Sequence, residues 1–444
     1  MDTSALLIAA EHGTSSNFNP LRKNGNFKKE NIWDKKSCYR YKMDTTMNPD
    51  SEETYKKILL KNGINTPVKN VCIKIPNFHG DQFASQCKLV TVEFADGTIP
   101  KLELFVKAAI TIGEYAEQMR DVLMFEKEAQ YFSKLLPEME EFAKAQQGYD
   151  GFLEGLLPKC YYASDVLIVF ENMTYQGFAM LNKAVLHDFQ IAEAVIRTLA
   201  KFHASKSILS EAGEVLYGGW MQNGVDGAIK ILSSKPTPGS EKVLEYLKKY
   251  ETRGFLKICK LLPLDNQSCS MSLNHGDLWN GNVMFQLNAE TKKPESCLML
   301  DLQTIHLGSP AVDLLIYLFI AVDHEVRKKE WKNLVRIFYD QLGEVVIDKL
   351  GQKLKFSFED LLSDFRTQID IGFVFGMYSV FGFEALANID GNAMNSEGSA
   401  LDNLSSTIIT SLDRTMEQKG STFSENIVQM YNEVVDILSE KNNQ

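Results

Sequence analysis

The sequence predicts an α+β fold of two lobes, a β-rich lobe followed by a mostly helical one. Three observations carry this. Strand-like apolar runs (VCIKI, CKLVTVEF, LELFVK, the CYYAS region and VLIVF) all fall before Met173. Beyond Met173 a helical period takes over; between His187 and Ser205, Ile191, Val195, Leu199 and Phe202 share one face. Near residues 270–305 two short runs, SLNHGDLWNGNVMF and CLMLDLQ, interrupt the helices and hold the most unusual polar residues. At 444 residues the chain suits two or three domains or one large bilobal unit. The expected division is an arm over 1–45, a β-rich lobe over 46–173 and a helical lobe over 174–444, with a ligand cleft between the lobes.

The opening MDTSALLIAAEHG has an apolar run only from Ala5 to Ala10 and no basic residues before it, too short for a signal peptide. From Arg22 to Lys42 there are eight basic and two acidic residues. This reads as a solvated arm, or as a docking arm for an acidic partner or membrane surface. SEETYKKILLKNG predicts a helix, with Ser51 as cap, glutamates in the first turn and Gly63 as stop. Ala95-Asp96-Gly97 between the second and third strands signals a hairpin. A helix is expected from Glu114 to Leu136, ending at Pro137. Late in the chain, FVFGMYSVFGF reads first as buried helix and second as a wall for an apolar pocket. The run Ile371 to Phe383 is too short to span a bilayer.

Composition narrows the function. Apolar residues are 44% and charged residues 24%, ordinary globular usage. The net charge of −11 argues against nucleic-acid binding but not against a small anionic ligand held by local donors. Seven scattered cysteines without C-x-x-C fit free thiols in a reducing compartment, not a disulfide framework or structural zinc. The chain is expected to be soluble, cytoplasmic and monomeric.

The strongest chemical signal is His275-Gly276-Asp277-Leu278-Trp279-Asn280-Gly281-Asn282, of the form H-x-D-x-x-x-x-N. Nineteen residues after Asn282 the run CLML delivers Asp301. Phosphoryl transfer to an alcohol needs a carboxylate to accept the hydroxyl proton, and oxygen ligands to hold Mg²⁺ on the nucleotide phosphates. Asp277 suits the first role, Asn282 and Asp301 the second.

HGDLWNGNVMF followed by LMLDLQTIHLGSPAVDLL resembles the small-molecule kinases related to choline kinases and aminoglycoside phosphotransferases, and within them the ecdysteroid kinase-like family of insects. Phe125-Glu126-Lys127-Glu128, LIVFENM and LAKFHA resemble, in order, that family's F-x-x-E helix, hinge and L-A-x-x-H-A helix. The resemblance spans roughly residues 50 to 400. It implies a bilobal protein-kinase-like fold with ATP and Mg²⁺ between the lobes. The lobe over 46–173 then binds nucleotide and the lobe over 174–444 carries catalysis and the acceptor.

The resemblance also implies site roles. Lys107, at the end of LELFVK, binds the α- and β-phosphates and is held by Glu128; Glu126 is the competing partner. Gly80 and Ser85 match the family's phosphate loop, although Asn77 to Ser85 carries a single glycine. Backbone groups of Glu171 and Met173 face adenine. His275 braces the catalytic loop, and His203 reads as a satisfied core histidine. Asp313 hydrogen-bonds the catalytic loop's backbone or caps the helix it opens.

Two features point away from a protein substrate. Gly276 stands where protein kinases usually carry an arginine that pairs with an activation-loop phosphate. Asp313 is already the twelfth residue after Asp301, which leaves too few for a substrate-docking platform. The expectation is an ATP- and Mg²⁺-dependent kinase for a hydroxyl of a small molecule. The resemblance implies an ecdysteroid or another apolar alcohol, foreign compounds included. The rivals are a non-catalytic pseudokinase that binds nucleotide or a small ligand, and a choline or aminoglycoside kinase.

Overall fold

The computed structural model describes residues 47–76, 85–110, 124–183, 185–204, 218–250, 271–387 and 400–440. The basic arm, the loop with Gly80 and the first half of the helix expected from Glu114 lie outside them.

Helix α1 (Glu52–Lys61) starts and stops where the sequence places it. Ser51 is extended at its N-terminus but makes no side-chain capping bond; its carbonyl accepts from the Thr54 N–H instead. Gly63 follows at φ +75°, a conformation that costs glycine least.

Five antiparallel strands follow the expected runs: β1 (Val68–Lys74), β2 (Ser85–Phe94), β3 (Leu102–Ala109), β4 (Cys160–Ala163) and β5 (Leu167–Glu171). Their order is β1-β2-β3-β5-β4. Strand periodicity sorts β3 into two faces. Leu104 and Val106 pack with Val90, Val92, Leu167 and Val169 against Tyr55, Ile58 and Leu59 of α1. Phe105 packs on the main core, on the opposite face. Lys107 shares the Phe105 face, so the alternation alone turns its side chain toward the side of the main core.

The helix after β3 corrects the sequence expectation. α2 (Met124–Gln130) does not stop at Pro137; it widens into a π turn at Tyr131–Leu135 and continues as α3 (Leu136–Lys144). In the wide turn Leu136 N–H donates to the Tyr131 carbonyl, and Pro137 enters at the start of α3, where its missing N–H does least harm. Phe132 seats this segment on the sheet, its ring centroid 4.9 Å from that of Phe170.

Beyond Met173 the described chain is mostly helical: α4 (Phe189–Ala204), α5 (Gly218–Ser234) and α6 (Ser240–Leu247). Four short strands then form two antiparallel pairs, β6 (Ser272–Asn274) with β9 (His306–Gly308) and β7 (Val283–Leu287) with β8 (Pro294–Met299). Next come α7 (Pro310–Ala321), α8 (His324–Gly343), α9 (Phe358–Thr367), α10 (Ile369–Ala387) and α11 (Ala400–Ser439).

Every residue of α7 is buried, which explains why its sequence is apolar all round. α10 lies close against it, because Gly372 and Gly376 leave room for Phe319. Phe373, Val374, Phe375 and Met377 are buried, as the apolar run predicts. The architecture is thus the α+β one expected, a sheet region followed by a helical part. Among the described residues no helix is long and apolar enough to cross a membrane. The described cysteines Cys72, Cys87, Cys160 and Cys297 are free thiols.

Candidate active site

Lys107, Glu128 and Asp301 converge although 194 residues separate the first from the last. Lys107 Nζ donates to both carboxylate oxygens of Glu128, at 2.9 and 2.7 Å, and to Asp301 Oδ1 at 2.8 Å. Burial works against its charge, but the carboxylates of Asp301 and Glu128 outweigh it and hold Lys107 well above the usual lysine range. Glu128, the fourth residue of F-x-x-E, is thus the one that meets Lys107. Glu128 Oε1 also accepts from the Leu302 N–H at 3.4 Å, tying the helix to the segment that carries Asp301. Asp301 itself sits at φ +63°, a left-handed conformation that a non-glycine residue adopts at a cost.

The catalytic-type loop follows β6. Asp277 Oδ2 accepts from Asn282 Nδ2 at 3.0 Å, and the Asp277 carbonyl accepts from the same nitrogen at 2.8 Å. Burial and the nearby Asp301 charge push the Asp277 carboxyl up to about 7, against the pull of the Asn282 hydrogen bond. A carboxyl poised there can both take and give up a proton near neutrality.

Asp313 is the loop's anchor. Its carboxylate accepts from the backbone N–H groups of His275, at 2.6 Å, and Gly276, at 2.8 Å, and faces His203 Nε2 at 2.9 Å. The sequence left two roles open, and this geometry is the backbone-bonding one. α7 opens three residues before Asp313, at Pro310, with Ser309 as its cap; Ser309 Oγ accepts from the Ala311 N–H at 3.3 Å. Burial opposes ionisation of Asp313, yet the hydrogen bond from His203 and the neighbouring histidines keep its pKa below the ordinary value. His275 Nε2 donates to the Leu300 carbonyl at 2.8 Å, and its Nδ1 accepts from the Asp277 N–H at 3.3 Å. Both ring nitrogens are used, and burial holds His275 below its usual pKa, so it braces the loop as a neutral ring. His203, fully buried against Asp313 and Ser272, is a core histidine with partners.

The remaining expected residues divide. Ser85 is buried at the first position of β2, opposite Ala109. Gly80 lies outside the described residues. At the expected hinge, the Glu171 N–H donates to the Lys159 carbonyl at 2.8 Å, so this N–H is not open to a ligand. Met173 opens a 3-10 turn, and its carbonyl accepts from the Phe178 N–H at 3.1 Å.

The geometry adds three points to the sequence reading. Gly276 stands at φ +84°, so the backbone itself asks for glycine there. Gly281 lies under the Trp279 ring; a Cβ at 281 would be 2.4 Å from it. Tyr378, within FVFGMYSVFGF, has a buried hydroxyl, and burial and the Asp277 charge push its pKa up to about 12. It packs toward α5, where a Cβ at Gly224 would lie 3.2 Å from its own.

The model of the ecdysteroid kinase-like family matches residues 79–352, more than half of the chain. No curated protein matches the chain. Among solved structures, the chain is similar to choline kinase from Cryptosporidium parvum Iowa II, with 12% identity over 82% of this chain and 93% of that one, at a TM-score of 0.34. It is similar to a Plasmodium vivax ethanolamine kinase, with 11% identity over 82% and 89%, at a TM-score of 0.33. It is also similar to wild-type aminoglycoside 2'-phosphotransferase-IIIa in its GDP complex, with 14% identity over 82% and 99%, at a TM-score of 0.36. Likeness this slight carries no argument about the site.

Proposed function

We propose, from the premise that the chain belongs to the ecdysteroid kinase-like family, that it transfers the γ-phosphoryl group of ATP to a hydroxyl of a small apolar alcohol. The supporting observation is the pairing of Asp277, poised near neutrality, with the Lys107–Glu128–Asp301 cluster. A pure nucleotide binder needs the second but has no use for the first.

In this reading residues 46–173 form the nucleotide lobe and 174–444 the catalytic and acceptor lobe. Lys107, kept charged and oriented by Glu128, meets the α- and β-phosphates. Ser85, at the end of the loop that carries Gly80, assists. Glu171 and Met173 border adenine.

Asn282 and Asp301 fit a hard cation. Asn282 Nδ2 is committed to Asp277, which leaves its Oδ1 as the outward oxygen. Asp301 has one oxygen on Lys107 and a second to offer. One ammonium against two carboxylates leaves the ionised cluster one negative charge in excess, which favours a cation beside it. When bound, Mg²⁺ would neutralise charge on the phosphates.

Asp277 orients the acceptor hydroxyl and takes its proton as the acceptor oxygen bonds the γ-phosphorus and the bond to ADP breaks. Asp313 and His275 hold the loop so that Asp277 need not reorganise.

The test is ADP release from Mg²⁺-ATP against ecdysteroids, sterols, phenols, glycosides, choline and aminoglycosides. Turnover with a neutral alcohol supports the reading. Tight Mg²⁺-ATP binding with no turnover anywhere in the panel favours a nucleotide-binding pseudokinase.

A further inference from the structure

A lysine, Lys183, lies against the loop that carries Asp277. From Asp277 to Asn280 the side chains alternate: Leu278 is 0% exposed and Asn280 2%, while Asp277 and Trp279 each keep part of their surface open. Trp279 is extended, at φ −151° and ψ 179°. Asp277 and Trp279, two residues apart, are thus the side chains of this stretch that keep surface open on the catalytic-type loop.

The ring is held in place. It lies over Gly281, where any Cβ would strike it. Asn280 Nδ2 donates to the Val185 carbonyl at 2.9 Å, tying the loop to the segment before α4. That segment supplies Lys183, whose Nζ lies over the Trp279 ring, 5.5 Å from its centroid.

An aromatic face beside a carboxylate is the usual receptor for a quaternary or protonated amine. Here an ammonium of the protein already occupies it. Asp277 draws a cationic acceptor in, and Lys183 opposes it.

We propose that the Lys183–Trp279 pair is the charge filter of the acceptor site, admitting neutral alcohols and rejecting cationic ones such as amino alcohols and aminoglycosides. This rests on the kinase reading for the identity of the pocket, but its test does not use turnover.

The experiment titrates choline and, separately, ecdysone into the full chain without nucleotide, following tryptophan fluorescence. It compares wild type, Lys183→Met and Lys183→Glu; Lys183 is only half-buried, so these variants should fold, which circular dichroism checks. Choline should bind Lys183→Glu at least ~10-fold tighter than wild type, with Lys183→Met between them. Ecdysone affinity should move far less. Equal choline affinity in wild type and Lys183→Glu, or no choline binding by either, overturns the proposal, as does an equal gain for both ligands. Calorimetry of Mg²⁺-ATP on the same samples reports separately on the kinase reading, whose failure shows as absent nucleotide binding.

Discussion

Asn282 donates one amide nitrogen to two oxygens of Asp277, the carbonyl at 2.8 Å and Oδ2 at 3.0 Å. Five residues apart, the pair closes the loop on itself. It fixes which way the Asn282 oxygen points and partly offsets the cost of ionising Asp277, yet the carboxyl still rises to about 7.

That rise predicts a pH-dependent stability. The folded pKa of Asp277 lies above the ordinary 3.8, so the native chain holds an extra proton between about pH 4 and 7. This contribution is present below that window and lost as pH rises through 7. Asp277→Asn removes the titrating group. Its melting temperature should exceed that of wild type at pH 8, with the gap narrowing toward pH 5. A gap independent of pH would mean that Asp277 is ionised throughout and has an ordinary pKa.

Lys107 and Glu128 should behave as one unit. Lys107→Ala and Glu128→Ala should each impair phosphoryl transfer, and the double variant should be little worse than either single. Steady-state rates of the four proteins check this. Fully additive losses would show that the 2.7 Å contact does not act in catalysis.

Asp313→Ala strips the acceptor from two buried backbone N–H groups and from His203. Leaving buried donors without an acceptor costs about 1–3 kcal/mol for each group. Urea unfolding should show a loss of that order, with Asp313→Asn losing less because one amide oxygen still accepts. A surface-like change below about 0.5 kcal/mol would be inconsistent with the anchor role.

Gly281→Ala should displace the Trp279 ring, since the added carbon would sit 2.4 Å from it. The expected cost is about 1–3 kcal/mol by urea unfolding, with a shift in tryptophan emission. Unchanged stability and emission would place the ring elsewhere.

Much of this was legible in the sequence because it was written locally. Strand alternation and the hairpin signal fixed β1 to β5, and the fixed spacing from His275 to Asn282 named the loop. The misreadings came from context. Pro137 does signal a break, but a π turn absorbs it and the helix resumes. The helix of Asp313 starts at Pro310, because Ser309 was the cap. The backbone demand for glycine at 276 has no local signature. Nor does the approach of Lys183 to Trp279, which depends on how distant segments pack.

The central claim is that Asp277 accepts the acceptor's proton while leaving the nucleotide to other residues. It is tested most directly by comparing wild type and Asp277→Asn for Mg²⁺-ATP affinity by calorimetry and for phosphoryl transfer to an acceptor that wild type turns over. The variant keeps the shape and loses the basic oxygen. Its Mg²⁺-ATP affinity should stay close to that of wild type, while transfer slows at least ~10²-fold. Equal transfer rates in the two proteins would contradict the account.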